Sequence, residues 1–290
     1  MWNGFEELKP RKQNEKIHFW IDPLLGDLEL LHAKYLTHSF GRHAHEEFAI
    51  GVIYSGVQAL TYRRSEQLLM PKGSIAAINP AEIHTGYAAN IEDGWAYRML
   101  YPASELLQQI AVEITGFEHD VPFFPTPVIF DQRLAHQIYQ MHWALEDPHT
   151  SAIEKETYLY NVLSKLIVRH ADRQPLVQLV PKDNRTVQLI RDYLESNYQR
   201  NISLTELSNL TTLSKFHLCR TFQQVMGLPP HAYLNLIRVQ QAKRLLKLGI
   251  QISQVALDVG FYDQTHLTKR FKAFLGITPR QYAIGTAKTY

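Results

Sequence analysis

The sequence predicts an α+β chain of more than one domain: a β-rich barrel or sandwich with a helical extension, then an all-α half made of a repeated helix–turn–helix unit. Three observations predict it. Short β-rich runs broken by turn residues fill the early part of the chain. Helical periodicity holds from Arg185 to about Tyr282. That helical half matches itself at a shift of 49 residues. The chain has 290 residues, and roughly 150 residues per domain gives about two domains.

The β runs are residues 17–21, 28–35, 48–54, 57–62, 67–70, 74–78 and 95–101. Turn-prone pieces separate them, among them Tyr54-Ser55-Gly56 and Pro71-Lys72-Gly73. Residues 103–116 and 132–145 then read as helices, with Pro122, Pro125 and Pro127 breaking the stretch between them. Residues 151–170 carry Ile153, Tyr160, Leu163 and Ile167 near helical spacing. The first domain is therefore residues 1–172, with its barrel at about 17–101 and its helices at about 103–172. Residues 173–184, with two prolines and mixed polarity, read as a linker, and residues 185–290 form the second domain.

In the repeat, Leu218 falls on Leu267, Phe222 on Phe271, Gly227 on Gly276, Pro230 on Pro279 and Tyr233 on Tyr282. In the second copy residues 252–259 form a short helix, Gly260 suits a left-handed turn, and Asp263 caps the next helix. In the first, residues 204–210 form the first helix and Ser214 is the cap. Thr212 stands at the turn, a poor fit where φ is positive. On a wheel at 100° per residue, Leu218, Phe222 and Val225 share one face, as do Leu267, Phe271 and Phe274. Those faces pack inward. Phe216, Cys219, Arg220 and Gln223, and in the second copy Thr265, Thr268, Lys269 and Lys272, point outward. A held helix with a hydrogen-bonding free face is what a recognition helix in a major groove requires. Residues 231–248 join the copies, with Leu234, Ile237, Leu245 and Leu248 on one side. Arg238, Lys243, Arg244 and Lys247 of this helix are placed to meet phosphates.

The net charge of +2 hides an asymmetry. Residues 184–290 hold 14 Lys/Arg and 5 Asp/Glu, a balance of +9, which leaves −7 for residues 1–183. A basic half behind an acidic one points to a polyanionic partner for the second half. The single cysteine, Cys219, excludes an internal disulfide and suits a reducing compartment. No apolar run approaches the roughly 18 residues of a membrane span. The first residues lack the basic and apolar regions of a signal peptide. The expected location is the cytoplasm, with no membrane partner.

Residues 185–282 resemble the double helix-turn-helix DNA-binding domain of AraC/XylS-type transcription regulators. The resemblance is carried by Ser214-Lys215-Phe216-His217-Leu218-Cys219-Arg220-Thr221-Phe222, by Gly227-Leu228-Pro229-Pro230-His231-Ala232-Tyr233, and by Val259-Gly260-Phe261. It continues through Leu267-Thr268-Lys269-Arg270-Phe271-Lys272 and Gly276-Ile277-Thr278-Pro279-Arg280-Gln281-Tyr282. It implies double-stranded DNA as partner and base reading at Phe216, Cys219 and Arg220, then at Gln264, Thr265 and Lys269. Cys219, a weak hydrogen bonder, stands where longer polar residues are common. The residues expected to face DNA are Lys215, Phe216, Cys219, Arg220, Gln223, Arg238, Asp263, Gln264, Thr265, Thr268, Lys269 and Lys272.

The first half holds His43-Ala44-His45-Glu46-Glu47 and Pro80-Ala81-Glu82-Ile83-His84. With Gly56 and Gly73, it resembles the cupin-like ligand-binding barrel that precedes such DNA-binding domains. Residues two apart on a strand share a face, so His43 and His45 point together, and His84 is placed to join them. Three readings stand open for this cluster: a metal-free polar ligand pocket, which is preferred, histidines that only satisfy loop hydrogen bonds, and a bound metal. No cofactor is expected. The cupin metal pattern wants a Glu where Ala49 and Ile50 stand; Glu47 is the nearest substitute. The pocket candidates are His43, His45, Glu47, Tyr62, His84 and Arg98. The planar fork of Arg98 suits a ligand carboxylate and leans the effector toward a carboxylated metabolite such as an amino acid. Residues 151–170 fit the family's dimerisation helix or pack on the barrel. The reading is a ligand-responsive, sequence-specific regulator without catalytic residues, by family habit an activator meeting RNA polymerase, and a homodimer. The alternative is a metal-dependent cupin enzyme with an appended nucleic-acid-binding domain.

Overall fold

The computed structural model describes residues 15–62, 66–172 and 184–286. The chain divides into two compact units. One takes in residues up to 22, residues 28–103 and residues 126–139. The other takes in residues 23–27, 104–125 and 140 onward. Among the described residues no helix is long and apolar enough to cross a membrane.

Among the described residues the first unit is a β-sheet structure of nine strands: β1 (Lys16–Asp22), β2 (Leu28–Tyr35), β3 (Ser39–His43), β4 (Ala49–Tyr62), β5 (Glu66–Pro71), β6 (Ile75–Ile78), β7 (His84–Ala88), β8 (Trp95–Tyr101) and β9 (Val128–Ile129). Its main path runs β1-β2-β8-β4-β6-β9, and the far half of β4 pairs β5 and β7, with β3 beyond β7. Two expected strands, 48–54 and 57–62, are one long strand, β4. It bends where its register with β8 shifts between Ile53 and Ser55. Gly56 follows the bend at φ +67°, and a Cβ there would lie 2.1 Å from the Gly94 carbonyl oxygen. The turn signal at Tyr54-Ser55-Gly56 therefore marks a bend that lets one strand serve two sheets, not a chain reversal. Between the sheets lie Tyr35, Ile53, Leu60, Tyr62, Met70, Trp95, Tyr97 and Met99.

The helices are α1 (Ser104–Thr115), α2 (Gln132–Glu146), α3 (Ala152–His170), α4 (Asn184–Ser196), α5 (Leu204–Thr211), α6 (Lys215–Met226), α7 (Pro230–Lys247), α8 (Ile252–Asp258), α9 (Gln264–Leu275) and α10 (Pro279–Thr286). Apart from Asn184, which opens α4, the expected linker lies outside the described residues. The two helix–turn–helix units are α5–α6 and α8–α9. Ser214 accepts from the His217 N–H at 3.3 Å, and Asp263 accepts from the His266 N–H at 2.7 Å, so α6 and α9 are capped at the same offset. Gly227 and Gly276 end them in the left-handed conformation.

Helix α7 serves both units. Its Leu234 and Ile237 join Leu204, Leu207, Leu218 and Phe222 in one core, while its Val239, Ala242 and Leu246 join Val255, Leu267 and Phe271 in the other. Leu248, expected on its buried side, is 76% exposed, because the helix ends at Lys247. Phe274 is also exposed, being close to the end of α9. Val225 is half-buried. Arg238 is fully buried. Its Nε donates to the Tyr198 carbonyl at 2.7 Å and its Nη2 to the Arg200 carbonyl at 2.8 Å, and it lies over the Phe261 ring. Its side chain braces the core, so the expected phosphate contact is not made in this conformation.

Helix α3 belongs to the same unit. Its Glu154, with no exposed surface, meets Arg270 and accepts from Asn235 Nδ2 at 3.1 Å. Burial pushes this carboxyl up, but Arg270, His231 and Ser151 outweigh burial and hold it below the usual carboxylate range. Burial pushes His231 and His266 down to about 4, against the pull of the same carboxylate.

Two predictions follow from these positions. Thr212 sits at φ +58°, where a β-branched residue is strained by roughly 1–2 kcal/mol. Thr212→Gly should therefore raise the denaturation midpoint. Gly260→Ala should lower the midpoint, with a stability loss of more than about 1 kcal/mol, because at φ +86° the new Cβ would meet the Gln199 carbonyl oxygen at 2.6 Å. A stabilised Gly260→Ala protein would contradict this account of the turn. The second prediction concerns acid. Above pH 6.5 both buried imidazoles are neutral whether the chain is folded or not. As pH falls toward 4 the unfolded chain takes up protons that the folded chain refuses, so stability is lost in that window, by up to about 3 kcal/mol per histidine. Thermal midpoints measured from pH 7 to 4.5 should fall, and His266→Asn should flatten the slope; an unchanged slope would remove His266 from the cause.

Candidate nucleic-acid interface and barrel pocket

The outer faces of α6 and α9 have different surroundings. On α9, Gln264, Thr265, Lys269 and Lys272 are exposed and Thr268 is half-buried. The Thr268 hydroxyl donates back to the Gln264 carbonyl at 2.8 Å. Lys269 lies 4.5 Å from the Trp143 ring centre and 3.5 Å from Asp147, a loose exposed pair of small energetic weight. Asp263, besides capping α9, approaches His149 at 3.8 Å.

On α6 the corresponding face is partly covered by α1 and α3. Phe216, Cys219 and Arg220 are half-buried and only Gln223 is exposed. Glu113 of α1 accepts from the backbone N–H of Phe216 at 3.2 Å, in the first turn of α6. The helix dipole and its unpaired N–H groups favour an anion there. Burial pushes the Glu113 carboxyl up, with Phe216, Gln109 and Lys215 pulling the other way. Lys215 pairs with Glu156 of α3 at 3.1 Å and lies 5.0 Å from the Tyr160 ring centre. The same Glu156, almost fully buried, accepts from the Leu204 N–H at the start of α5 and from the Thr205 hydroxyl at 2.9 Å. Burial pushes the Cys219 thiol up to about 12, so the group is a neutral thiol and a poor nucleophile. Helix α3 is thus built into the helical unit. Twelve of its 19 residues are buried, and it packs on α1, α5, α6 and α7.

In the β unit, His43, His45 and His84 converge. A ring nitrogen from each lies within 4.8 Å of the others. Strand β3 brings His43 opposite His84 on β7, past a register shift between Phe40 and His43. His43 Nδ1 lies 2.8 Å from the Gly41 carbonyl oxygen and His84 Nδ1 lies 2.9 Å from that of Glu82. A carbonyl oxygen only accepts, so both Nδ1 atoms carry a proton. Burial pushes His84 down to about 4, and burial together with the neighbouring His43 lowers His45. Both are neutral at pH 7, the state that accepts a hydrogen bond or a divalent metal.

The cavity beside them is about 60 Å³, lined also by Phe40, Gln58, Tyr97, Met99 and Tyr101. That is room for a few waters or one hydrated ion, not for an amino acid. Arg98 does not reach it. Tyr97, Met99 and Tyr101 turn inward, so the alternation of β8 sends Arg98 to the other face, where it lies 5.3 Å over the Tyr139 ring. Tyr62 faces His84 in register but packs in the core, and half-buried Glu47 stays outside the lining. The period-2 pattern of β8 already contained the Arg98 answer. Phe40 and Gln58 had no comparable signal.

Comparison with known proteins supplies the family. A model of the AraC-like ligand binding domain matches residues 25–163, and a model of a helix-turn-helix domain matches residues 207–283. The HTH-type transcriptional regulator YbfI of Bacillus subtilis (strain 168) is 33% identical over 257 residues, 88% of this chain and 90% of that protein. The HTH-type transcriptional activator AarP of Providencia stuartii is 33% identical over 93 residues, 32% of this chain and 69% of its own. Among solved structures, the DNA-binding domain of AdpA in complex with a target DNA is 24% identical and covers 34% of this chain and 91% of its own, with a TM-score of 0.33. The chain belongs to the AraC family of helix-turn-helix transcriptional regulators, with an AraC-like ligand-binding segment ahead of its DNA-binding domain.

Proposed function

We propose that this regulator reads two successive major grooves with α6 and α9, and that an effector held by the segment ahead of them controls the reading. The observation that carries this is the pair of capped helices at equal offsets in two helix–turn–helix units that share α7. At 1.5 Å per residue the 18 residues of α7 make about 27 Å, near the spacing of about 34 Å between successive major grooves on one DNA face. The balance of +9 in residues 184–290 suits the phosphate backbone. The base contacts are Phe216, Cys219 and Arg220 on α6 and Gln264, Thr265 and Lys269 on α9, with Lys215, Gln223, Thr268 and Lys272 beside them.

The covered state of α6 adds a condition. A duplex cannot lie against Phe216 and Arg220 while α1 and α3 lie there, so reading requires α6 to leave them. The ion pair of Lys215 with Glu156 and the bond from Phe216 to Glu113 hold a basic side chain and a helix N-terminus against carboxylates, as phosphates would hold them on DNA. The protein acts in the cytoplasm as a homodimer reading two half-sites, and as an activator it meets RNA polymerase.

Footprinting of the purified full chain on its own upstream region at about 0.15 M salt should show two protected major grooves one helical turn apart, and affinity at least ~10³-fold above that for random DNA. Equal affinity for both would end the proposal. Arg220→Ala should cost about 1–3 kcal/mol of discrimination at a single base position. A loss spread evenly over all sequences would instead make Arg220 a phosphate contact.

A further inference from the structure

In the β unit the rings of His43, His45 and His84 stand against one another, with centres 4.3–5.2 Å apart and planes turned by 43–87°. One ring nitrogen from each lies within 4.8 Å of the others. The backbone fixes this meeting. His43 faces His84 across β3 and β7. The Ala81 N–H, in the turn before β7, donates to the His45 carbonyl at 2.8 Å. The Nδ1–H of His43 is held by the Gly41 carbonyl and that of His84 by the Glu82 carbonyl. Metal-ligating histidines are commonly held in this way, with one ring nitrogen tied to a carbonyl and the other presented to the ion. Those two bonds account for one nitrogen on each of two rings. They do not account for three rings brought together. The cavity that the rings border is about 60 Å³, and among the described residues no carboxylate lines it.

We propose that His43, His45 and His84 bind one divalent ion of the zinc class, with a fourth coordination position open to the cavity, and that this ion is the barrel's effector. The class of ion follows from the donors. Imidazole suits zinc and its first-row neighbours, whereas magnesium and calcium want carboxylate and carbonyl oxygens. The open position follows from the count, since three protein ligands leave a tetrahedral ion one place for water. Nitrogens around one tetrahedral zinc sit roughly 3.3 Å apart, so a small closure of the three rings seats the ion. The size of the cavity sets the limit on anything else. It admits an ion with a water or two and excludes an organic metabolite. All three histidines fall within the matched ligand-binding segment, residues 25–163. The role of effector rests on the regulatory reading above; the site itself does not.

The test uses the full chain, stripped with a chelator and titrated with Zn²⁺ against a chromophoric competitor. One ion per chain should bind, and excess Mg²⁺ or Ca²⁺ should not displace it. Co²⁺ in its place should show the intense visible absorption of a four-coordinate ion, not the faint band of a six-coordinate one. His43→Gln and His45→Gln, both at half-buried positions, should each weaken Zn²⁺ binding at least about a hundredfold. The metal-free melting midpoint reports whether these variants fold. Zn²⁺ should raise that midpoint in the parent chain and not in the variants, because an ion that binds only the folded state stabilises it. His136→Ala, at an exposed position on α2, should leave binding unchanged. No tight ion, a six-coordinate spectrum, or binding that survives both substitutions overturns the site. Affinity for specific DNA is measured in parallel with Zn²⁺ and with chelator, and should differ at least about tenfold between them. If no specific DNA binding is found while Zn²⁺ still binds through His43 and His45, the site stands and the regulatory reading falls. If specific DNA binds equally well in both conditions, the effector role is overturned.

Discussion

Two carboxylates on one buried helix set the terms for the whole helical unit. Glu154 and Glu156 lie on α3 with almost no exposed surface. A carboxylate taken out of water is costly unless charges and donors surround it. Here the compensation comes from both helix–turn–helix units. Glu154 is answered by Arg270 of α9 and Asn235 of α7, and Glu156 by Lys215 of α6 and the first residues of α5. Helix α3 therefore cannot move away from either unit without leaving a charge to be rehydrated or re-paired. That constraint places α3 over α6, half-buries Phe216 and Arg220, and leaves a cavity between the two helices.

Such a seam specifies an arrangement more than it strengthens one. Desolvation offsets most of the Coulombic gain of a buried ion pair, so the net stability it contributes is small. What it imposes is register: a lysine and a helix N-terminus must meet two particular carboxylates. Phosphates offer the same side chain and the same N–H groups equivalent partners. Helix α9 is under less constraint, since its outward Lys269 meets half-buried Asp147 only loosely, at 3.5 Å.

Much of the architecture was legible locally. Periodicity located α1, α2, α3 and α7 and marked the stretch from Arg185 as helical without separating α4, and the 49-residue repeat located both helix–turn–helix units, their caps and the buried Leu218, Phe222, Leu267 and Phe271. Seven β runs fell on strands, two of them on β4. The failures have physical causes. Leu248 and Phe274 followed the periodic pattern past the point where the helix could still bury them. Strand β3, strand β7 and the two residues of β9 carry glycine, histidine or too little length to register as β runs. Arg98 was placed by its chemistry, although the alternation of its own strand sends it to the opposite face.

Local physical chemistry therefore determined which segments are helix and strand, where the helices are capped, and which stripe of each helix is apolar, because these depend on neighbours within a few residues. The tertiary structure alone decided which polar faces are covered. Phe216 meets Glu113 across 103 positions, and Lys215 meets Glu156 across 59. Arg238 gives its guanidinium to two carbonyls 38 and 40 positions away instead of to solvent. The three histidines converge because β3 and β7 pair across a register shift. No periodicity encodes such meetings. They exist because buried charges and buried polar atoms must find partners wherever the folded chain brings them.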